Sequence, residues 1–356
     1  MSRPRQRVAP VIPGSGPPAH WSVAVARQAD AEELTALLRR HEERARGWAS
    51  GSRNDVLVEV SPAGAEVRAN VVLRDDKGVL RGWGAAHDRA AGRMVLAVVV
   101  DPGLDENTAD RAAGALFGWG DEQARRVGSA RGLEAQQVDT GAFAGDERQH
   151  RWLTRAGYTK VRSWWQMSRP VTRQDAGLDP APREGVVIRR VGRQGSGMPD
   201  DSDLRTVHDI LERSFADHFN SHEETFDEFV SRLREDPGHR WDHWWIAEIV
   251  DVSEQPEAAG ALVGTVLEKQ RDESGVETPD GSYVAYIGVL QSARGRGVAR
   301  SLLTTIIVDA ALQGRDRVGL EVDADSPTRA DSLYLSMGWE TSYVTESWHR
   351  DVPVEG

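Results

Sequence analysis

The sequence predicts an α+β protein of two tandem domains, each built on a mostly antiparallel, twisted mixed sheet flanked by helices. Three observations predict it. The 356 residues exceed one ordinary core and suit two domains of about 150–180 residues each. The order of apolar segments in the first half recurs in the second. And residues 283–303 pass from a strand through an Arg/Gly loop into an amphipathic helix, a unit with its own chemistry.

The elements follow in order. In the first half, residues 21–25 read as a strand, and Asp30 opens a helix bearing Leu34, Leu37 and Leu38. Residues 56–60, 66–73 and 79–86 supply strands, and the apolar run 93–100 reads as a buried one. A helix over 109–127, a strand over 133–139 and a short helix before Gly157 complete the half. In the second half a strand over 186–190 precedes a helix carrying Leu204, Val207, Leu211 and Phe215. Ser221-His-Glu-Glu224 has the form of a capping box ahead of a helix with Phe226, Phe229, Val230 and Leu233. Residues 244–249 and 261–267 read as paired strands, followed by the 283–303 unit, whose helix presents Val298, Leu302, Leu303, Ile306 and Ala310 on one face. A strand over 318–323 and a short helix ended by Gly338 close the plan. The boundaries expected are a Pro/Arg/Gly-rich disordered arm (1–20), a first domain (21–170), a polar linker with Pro180 and Pro182 (171–185) and a second domain (186–356).

Composition narrows the function. The absence of cysteine excludes disulfides, thiolate metal sites and a cysteine nucleophile. A net charge of −12 argues against nucleic acid as the principal ligand and suits a cationic amine. No apolar run reaches membrane-spanning length and residues 1–20 lack the apolar centre of a signal peptide. A cytoplasmic enzyme, monomer or homodimer, is expected.

The 283–303 unit carries the sharpest signal. A helix N-terminus offers unpaired N–H groups, and glycines let the backbone close on a ligand, so the unit suits an anion. Arg294, Arg296 and Arg300 add charge fitted to paired phosphate oxygens. A P-loop would end Gly-Lys-Ser/Thr, which is missing, and a dinucleotide fingerprint would place glycine at Arg300. What stands is Arg294-Gly-Arg-Gly297-Val-Ala299, an Arg-x-x-Gly-x-Ala. It resembles the coenzyme A loop of the GCN5-related N-acetyltransferase (GNAT) family. Further on, Ala330-Asp-Ser-Leu333-Tyr334-Leu-Ser-Met-Gly338-Trp339 is similar to that family's Asn-x-x-Ala-x-x-Leu-Tyr-x-x-x-Gly-Phe segment, with Ser326 as N-cap, Pro327 at the first helical position and Trp339 in place of Phe.

The resemblance implies two tandem GNAT-fold domains, acetyl-CoA as cosubstrate, and direct attack by a primary amine of a small-molecule acceptor. It implies that backbone groups near Ile287, Gly288 and Val289 pair with the pantetheine arm. Arg294, Gly295, Arg296, Gly297, Val298, Ala299 and Arg300 would hold the diphosphate, with Ser326 at the head of the following helix also on the cofactor side. Tyr334 corresponds to the tyrosine that protonates the leaving thiolate. Relatives carry a glutamate base on the strand before the loop, where this sequence has Tyr283, Ala285 and Tyr286. Glu321 and Asp323, on one face of the next strand, are the alternative bases, with His218 and His222 as possible relays. A narrower resemblance, in the two-domain plan, is to tandem members acetylating a cysteinyl-glucosaminyl-inositol amine.

Rival readings are a non-catalytic acyl-CoA sensor and a longer-chain acyltransferase using space at Ala261 and Gly264. The first half has Asp101, Asp105, Glu106 and Asp110 where the diphosphate would lie, and Leu153 where Tyr334 stands. Such carboxylates would oppose an anion by ~1 kcal/mol each, so this half is expected to keep the scaffold without the cofactor. No metal is expected: the pairs His218/His222 and His239/His243 have helical ligand spacing but lie across helix-breaking residues. Trp241, Trp244 and Trp245, with Trp164 and Trp165, are read mainly as core rather than as a cage for a cationic acceptor.

Overall fold

The computed structural model describes residues 16–89, 92–180, 184–193, 197–216, 224–235, 238–250, 256–267, 270–271, 277–278, 280–325 and 330–354. Its helices and strands run β1 (Ser22–Val25), α1 (Ala31–Arg46), α2 (Arg53–Val60), α3 (Gly64–Val67), β2 (Arg68–Arg74), β3 (Leu80–Asp88), β4 (Arg93–Val100), α4 (Glu106–Arg131), β5 (Ala135–Phe143), α5 (Glu147–Arg155) and β6 (Thr159–Pro170). There follow β7 (Val186–Arg190), α6 (Asp201–Phe215), α7 (Phe226–Glu235), β8 (His239–Ile249), β9 (Glu257–Leu267), β10 (Gln270–Arg271), β11 (Glu277–Thr278), β12 (Gly281–Val289), α8 (Val298–Leu312), β13 (Arg317–Asp323), α9 (Ala330–Ser336) and β14 (Glu340–Pro353). They form two compact units, Met1–Trp164 with Tyr343–Gly356, and Trp165–Ser342.

In the first unit β1 to β4 pair antiparallel in sequence order, and β4 pairs parallel with β5 from Arg93↔Gln137 to Leu96↔Thr140. The outer edge of β5 takes β14, from Phe143↔Thr345 to Ala135↔Pro353. The crossover between β4 and β5 is α4, whose Ala109, Ala112, Ala113, Leu116 and Trp119 are buried against the sheet. The second unit repeats the plan in the order β7-β8-β9-β12-β13, with α8 as the crossover between the parallel strands β12 and β13. The face predicted for α8 is the buried one: Val298, Leu302, Leu303, Ile306 and Ala310 are each 2% exposed or less. Leu302→Ala is expected to lower unfolding free energy by about 3 kcal/mol in denaturant titration, since the cavity cannot collapse between a helix and a sheet. The α+β class and the mostly antiparallel sheets are as the sequence predicts.

Several local readings are corrected. Residues 53–60 form a helix, not a strand. Ser52 and Asp55 make a reciprocal capping box, and the buried pair is Val56 and Val60, four apart, rather than alternate residues. The segment read as a strand from 66 begins with the short α3, and β2 starts at Arg68. Asp30 is the N-cap residue of α1, as expected, but its side chain makes no cap bond: the carboxylate accepts from the Arg27 N–H at 2.8 Å and from Arg74. The described capping box of α7 is Thr225 with Glu228, whereas Ser221, His222 and Glu223 of the expected box lie outside the described residues, as does His218.

Trp244 and Trp245 are core, on opposite faces of β8. His239 and His243 sit on that strand, not on a helix. His239 packs edge-on to Trp241, and His243 Nε2 lies 2.6 Å from Arg315 Nη1 and 3.2 Å from Asp309. Among the described residues no helix is long and apolar enough to cross a membrane.

Candidate active site in the second unit

The site begins with a strand that outruns its partner. β12 and β13 pair in parallel only from Ser282↔Val318 to Val284↔Leu320, while β12 continues along β9 to Val289↔Gly260. Between Val284 and Tyr286 the pairing with β9 slips by one residue. That bulge increases local twist and turns the strand away from β13. Beyond it, the edge of β12 at Ile287, Gly288 and Val289 has no strand across from it among the described residues. Backbone groups on such an edge need partners, and an amide-bearing arm laid along it would supply them.

The strand leads through Leu290 and a 3-10 turn (Gln291–Ala293) into the loop. Gly295 and Gly297 both have left-handed backbone, with φ of 78° and 80°, which glycine adopts without strain. Gly297 is the N-cap of α8 and no side chain caps that helix. The first intrahelical bond is Ser301 N–H to the Gly297 carbonyl, 3.0 Å. The N–H groups of Val298, Ala299 and Arg300 therefore have no acceptor within the helix. Gly260 makes this approach possible: a Cβ there would lie 2.8 Å from Val298 and 3.2 Å from the Gly288 carbonyl. Arg294 and Arg296 are exposed beside the loop. Arg300 turns to α9, donating to Ser336 Oγ at 2.8 Å, and so links α8 to the helix that carries Tyr334.

Tyr334 is 7% exposed, and burial raises its phenol to about 12. Its ring meets Trp339 edge-on at 6.1 Å. The short helix ends at Gly338 with φ of 87°, the left-handed terminus that the sequence predicts. Ser326 and Pro327 lie outside the described residues. On β13, Val318, Leu320 and Val322 face the α8 side, leaving Glu321 and Asp323 on the other face with Gly319. A Cβ on Gly319 would meet the Tyr283 ring at 3.0 Å, so Tyr283 lies over that same face. Glu321 keeps accessible surface yet accepts a hydrogen bond from Gln166 of β6. The crowding around it raises its pKa, with the Gln166 bond pulling the other way. Asp323 accepts from the Asp325 N–H at 2.9 Å, closing the turn after the strand.

Sequence reasoning missed three features here: Gln166, the bond from Arg232 to Tyr286, and Ser214 beside Gly288. The Tyr286 hydroxyl lies 2.5 Å from Arg232 Nη1, and Arg232 is held by two bonds to Glu224, at 2.8 and 2.7 Å. Those partners raise the Arg232 pKa against the effect of burial. Thr225-x-x-Glu228 could have revealed the start of α7, but no local pattern reveals what its Arg232 reaches. The space at Gly264, expected as room for a longer acyl chain, is taken: a Cβ there would lie 3.0 Å from both Ile306 Cδ1 and the His243 carbonyl.

The first unit holds the same plan, filled by its own side chains. β4 also outruns its parallel pairing, which ends at Leu96↔Thr140. Here the Val100 carbonyl is bonded to the imidazole of His41 from α1, a side chain 3% exposed. Burial lowers the His41 pKa, against the pull of Asp146. The N-terminus of α4 is capped by Asp105, which accepts from the Thr108 N–H at 3.0 Å. Asp101 is bonded to Arg81 at 2.7 Å, and Asp110 is engaged by Trp152, Arg151 and Arg155. Of the four carboxylates expected to repel an anion, Asp101, Glu106 and Asp110 are thus paired with arginines, and Asp105 already occupies the helix N-terminus.

Comparison with known proteins agrees with this geometry. The model of the acetyltransferase (GNAT) family matches residues 204–339. A mycothiol acetyltransferase of Frankia casuarinae is 29% identical over 210 residues, 57% of this chain and 55% of that protein. One of Thermobispora bispora is 30% identical over 197 residues, 54% of this chain and 59% of that protein. The chain thus matches little more than half the length of these two relatives. Among solved structures, a GCN5-related N-acetyltransferase from Sphaerobacter thermophilus superposes with a TM-score of 0.70 at 21% identity, covering 95% of this chain and 97% of that one. A tandem GNAT protein from the clavulanic acid biosynthesis pathway gives 0.65 at 13% identity, covering 93% and 98%. Loop motif, bulged strand and family match together identify a GNAT domain at residues 204–339, and the chain as a whole is similar in fold to tandem GNAT proteins and in sequence to mycothiol acetyltransferases.

Proposed function

We propose that the second unit transfers the acetyl group of acetyl-CoA to a primary amine of a small-molecule acceptor. The observation that carries this is the uncapped N-terminus of α8, with Arg294-x-x-Gly297-x-Ala299, at the end of a strand that has lost its neighbour. The amides of Val298, Ala299 and Arg300 bind the diphosphate, and the open edge at 287–289 pairs with the pantetheine amides. The amine lone pair forms the new C–N bond, the C–S bond breaks, and its electron pair leaves on sulfur. Tyr334, kept protonated by burial, donates the proton that sulfur takes. Glu321, on the open face of β13, removes the proton that the amine must lose, with Gln166 holding its carboxylate; Asp323 keeps that end of the strand acidic. The filled groove of the first unit supports a single working site per chain, with that unit as scaffold. The longer-chain reading is disfavoured by Ile306 under Gly264.

The narrower reading, in which the acceptor is a cysteinyl-glucosaminyl-inositol amine, draws on the two relatives of that name. The test is incubation with acetyl-CoA and a panel of that amine, aminoglycosides, polyamines and peptide N-termini, with product mass as the readout. Tight acetyl-CoA binding without any acetylated amine would favour the sensor instead. The base makes a pH prediction. A Glu321 pKa raised by crowding means the reactive carboxylate form is gained only above the usual carboxylate range. The rate should therefore climb with pH through that raised pKa, and Glu321→Gln should flatten this acidic limb and cost about 10²-fold or more in kcat. An unchanged limb in the Gln variant would assign it to another group.

A further inference from the structure

Several buried polar side-chain atoms of the second unit have no partner among the described residues, and one of them, the hydroxyl of Ser214, lies beside Gly288 of β12. Ser214 lies in the last turn of α6, on the helix layer that covers the Tyr286 face of the sheet. Its Oγ is buried and has no hydrogen-bond partner among the described residues. A serine or threonine within a helix has a ready acceptor in the carbonyl four residues back, and this chain uses it elsewhere. Thr35 bonds to the Ala31 carbonyl at 2.7 Å, and Thr206 and Thr305 bond to those of Ser202 and Ser301 at 2.8 Å. Ser214 does not. Its hydroxyl is aimed at the backbone of Gly288: a Cβ there would lie 2.9 Å from Ser214 Oγ and 3.0 Å from Ser214 Cβ. Gly288 is in the middle of the β12 segment that has no strand across from it among the described residues. A desolvated, unpaired hydroxyl costs stability, and this one stands over the strand along which the acyl donor must lie.

We propose that Ser214 Oγ–H donates to the acyl oxygen of the bound thioester and is a catalytic residue of the second unit. The proposal rests on the acetyltransferase reading. An arm anchored at the loop 294–300 runs back along the open edge of β12, from Val289 toward the bulge at Ala285, and this carries its thioester past Gly288. When the amine nitrogen bonds to the acyl carbon, the carbonyl π pair moves onto the acyl oxygen. That oxygen returns the pair as the C–S bond breaks and sulfur takes the proton of Tyr334. A donor fixed where the negative charge builds lowers the barrier more than it tightens ground-state binding. Gly288 is the only residue type that admits the hydroxyl so close to the strand, since any side chain would displace it.

The experiment compares wild type, Ser214→Ala and Ser214→Cys by calorimetry with CoA and with acetyl-CoA, and by steady-state kinetics with the acceptor found above. For Ser214→Ala we expect kcat to fall about ten- to a hundredfold, with KM for the acceptor and affinity for free CoA unchanged. The discrimination between acetyl-CoA and CoA should shrink, because free CoA has no acyl oxygen. The melting temperature should hold or rise, as removal of an unpaired hydroxyl relieves its desolvation. Ser214→Cys, a weaker donor of similar size, should fall between. A raised acceptor KM at constant kcat would place the hydroxyl on the acceptor and overturn the proposal. Unchanged kinetics would make it packing alone and overturn it equally. Failure of the wild type to bind acetyl-CoA would remove the acetyltransferase reading and this proposal together, whereas acetylation that ignores Ser214 would remove only the proposal.

Discussion

Tyr334→Phe is expected to lower kcat by about 10²- to 10³-fold while leaving the affinity for CoA within about twofold of wild type. The phenol is buried, and its pKa, raised to about 12, keeps the proton in place across the neutral range. A group that stays protonated is a donor at every working pH, so no alkaline limb below about 12 should belong to it. Phenylalanine keeps the ring against Trp339 and the packing of α9, so stability should change little. Steady-state kinetics and calorimetry on one preparation separate the outcomes. Loss of turnover with binding retained marks a proton donor, and loss of both marks a structural ring. Full turnover would leave the thiolate to solvent and remove Tyr334 from the mechanism. A non-catalytic sensor would keep its response in the variant.

The site was legible in sequence wherever its chemistry is local. The loop, its two left-handed glycines, the buried face of α8 and the end of α9 at Gly338 are written within a few dozen residues, because helix caps and tight turns are decided by neighbours in the chain. The same locality misled at residues 56–60. There a run of β-branched residues suggested a strand, but the Ser52–Asp55 box started a helix that buries Val56 and Val60. What stayed hidden depends on partners far along the chain. The bulge at Ala285 is fixed by register against β9, not by composition. Gln166 reaches Glu321 from a different strand, and Ser214 matters only through its closeness to Gly288. Likewise Asp101, Glu106 and Asp110 of the first unit read as bare charge until their arginine partners, contributed by β3 and α5, are seen. Charge in sequence is a count; the field it makes depends on what it is paired with.

That distinction sharpens the prediction with the largest effect on binding. Gly297→Asp should weaken acetyl-CoA binding by about a hundredfold, which corresponds to ~2.7 kcal/mol. It recreates in the second unit what Asp105 does in the first, a carboxylate at the N-terminus of the crossover helix. Two effects act at once, because the φ of 80° at Gly297 also disfavours residues with a side chain, Asn and Asp least. Gly297→Asn separates them. Asparagine and aspartate tolerate left-handed backbone better than other side chains do, and asparagine carries no charge, so Gly297→Asn should lose about a tenth as much affinity if the anion site is the target. Combining Gly297→Asp with Arg294→Glu should abolish binding altogether. Titration of acetyl-CoA into the three variants and the wild type reads the result directly. One site in the wild type, lost in Asp and largely kept in Asn, fits a diphosphate held by the amides of Val298 to Arg300. Equal losses in Asp and Asn would attribute the effect to backbone strain. A second site that survives the double substitution would mean that the groove filled by His41 opens to a ligand after all.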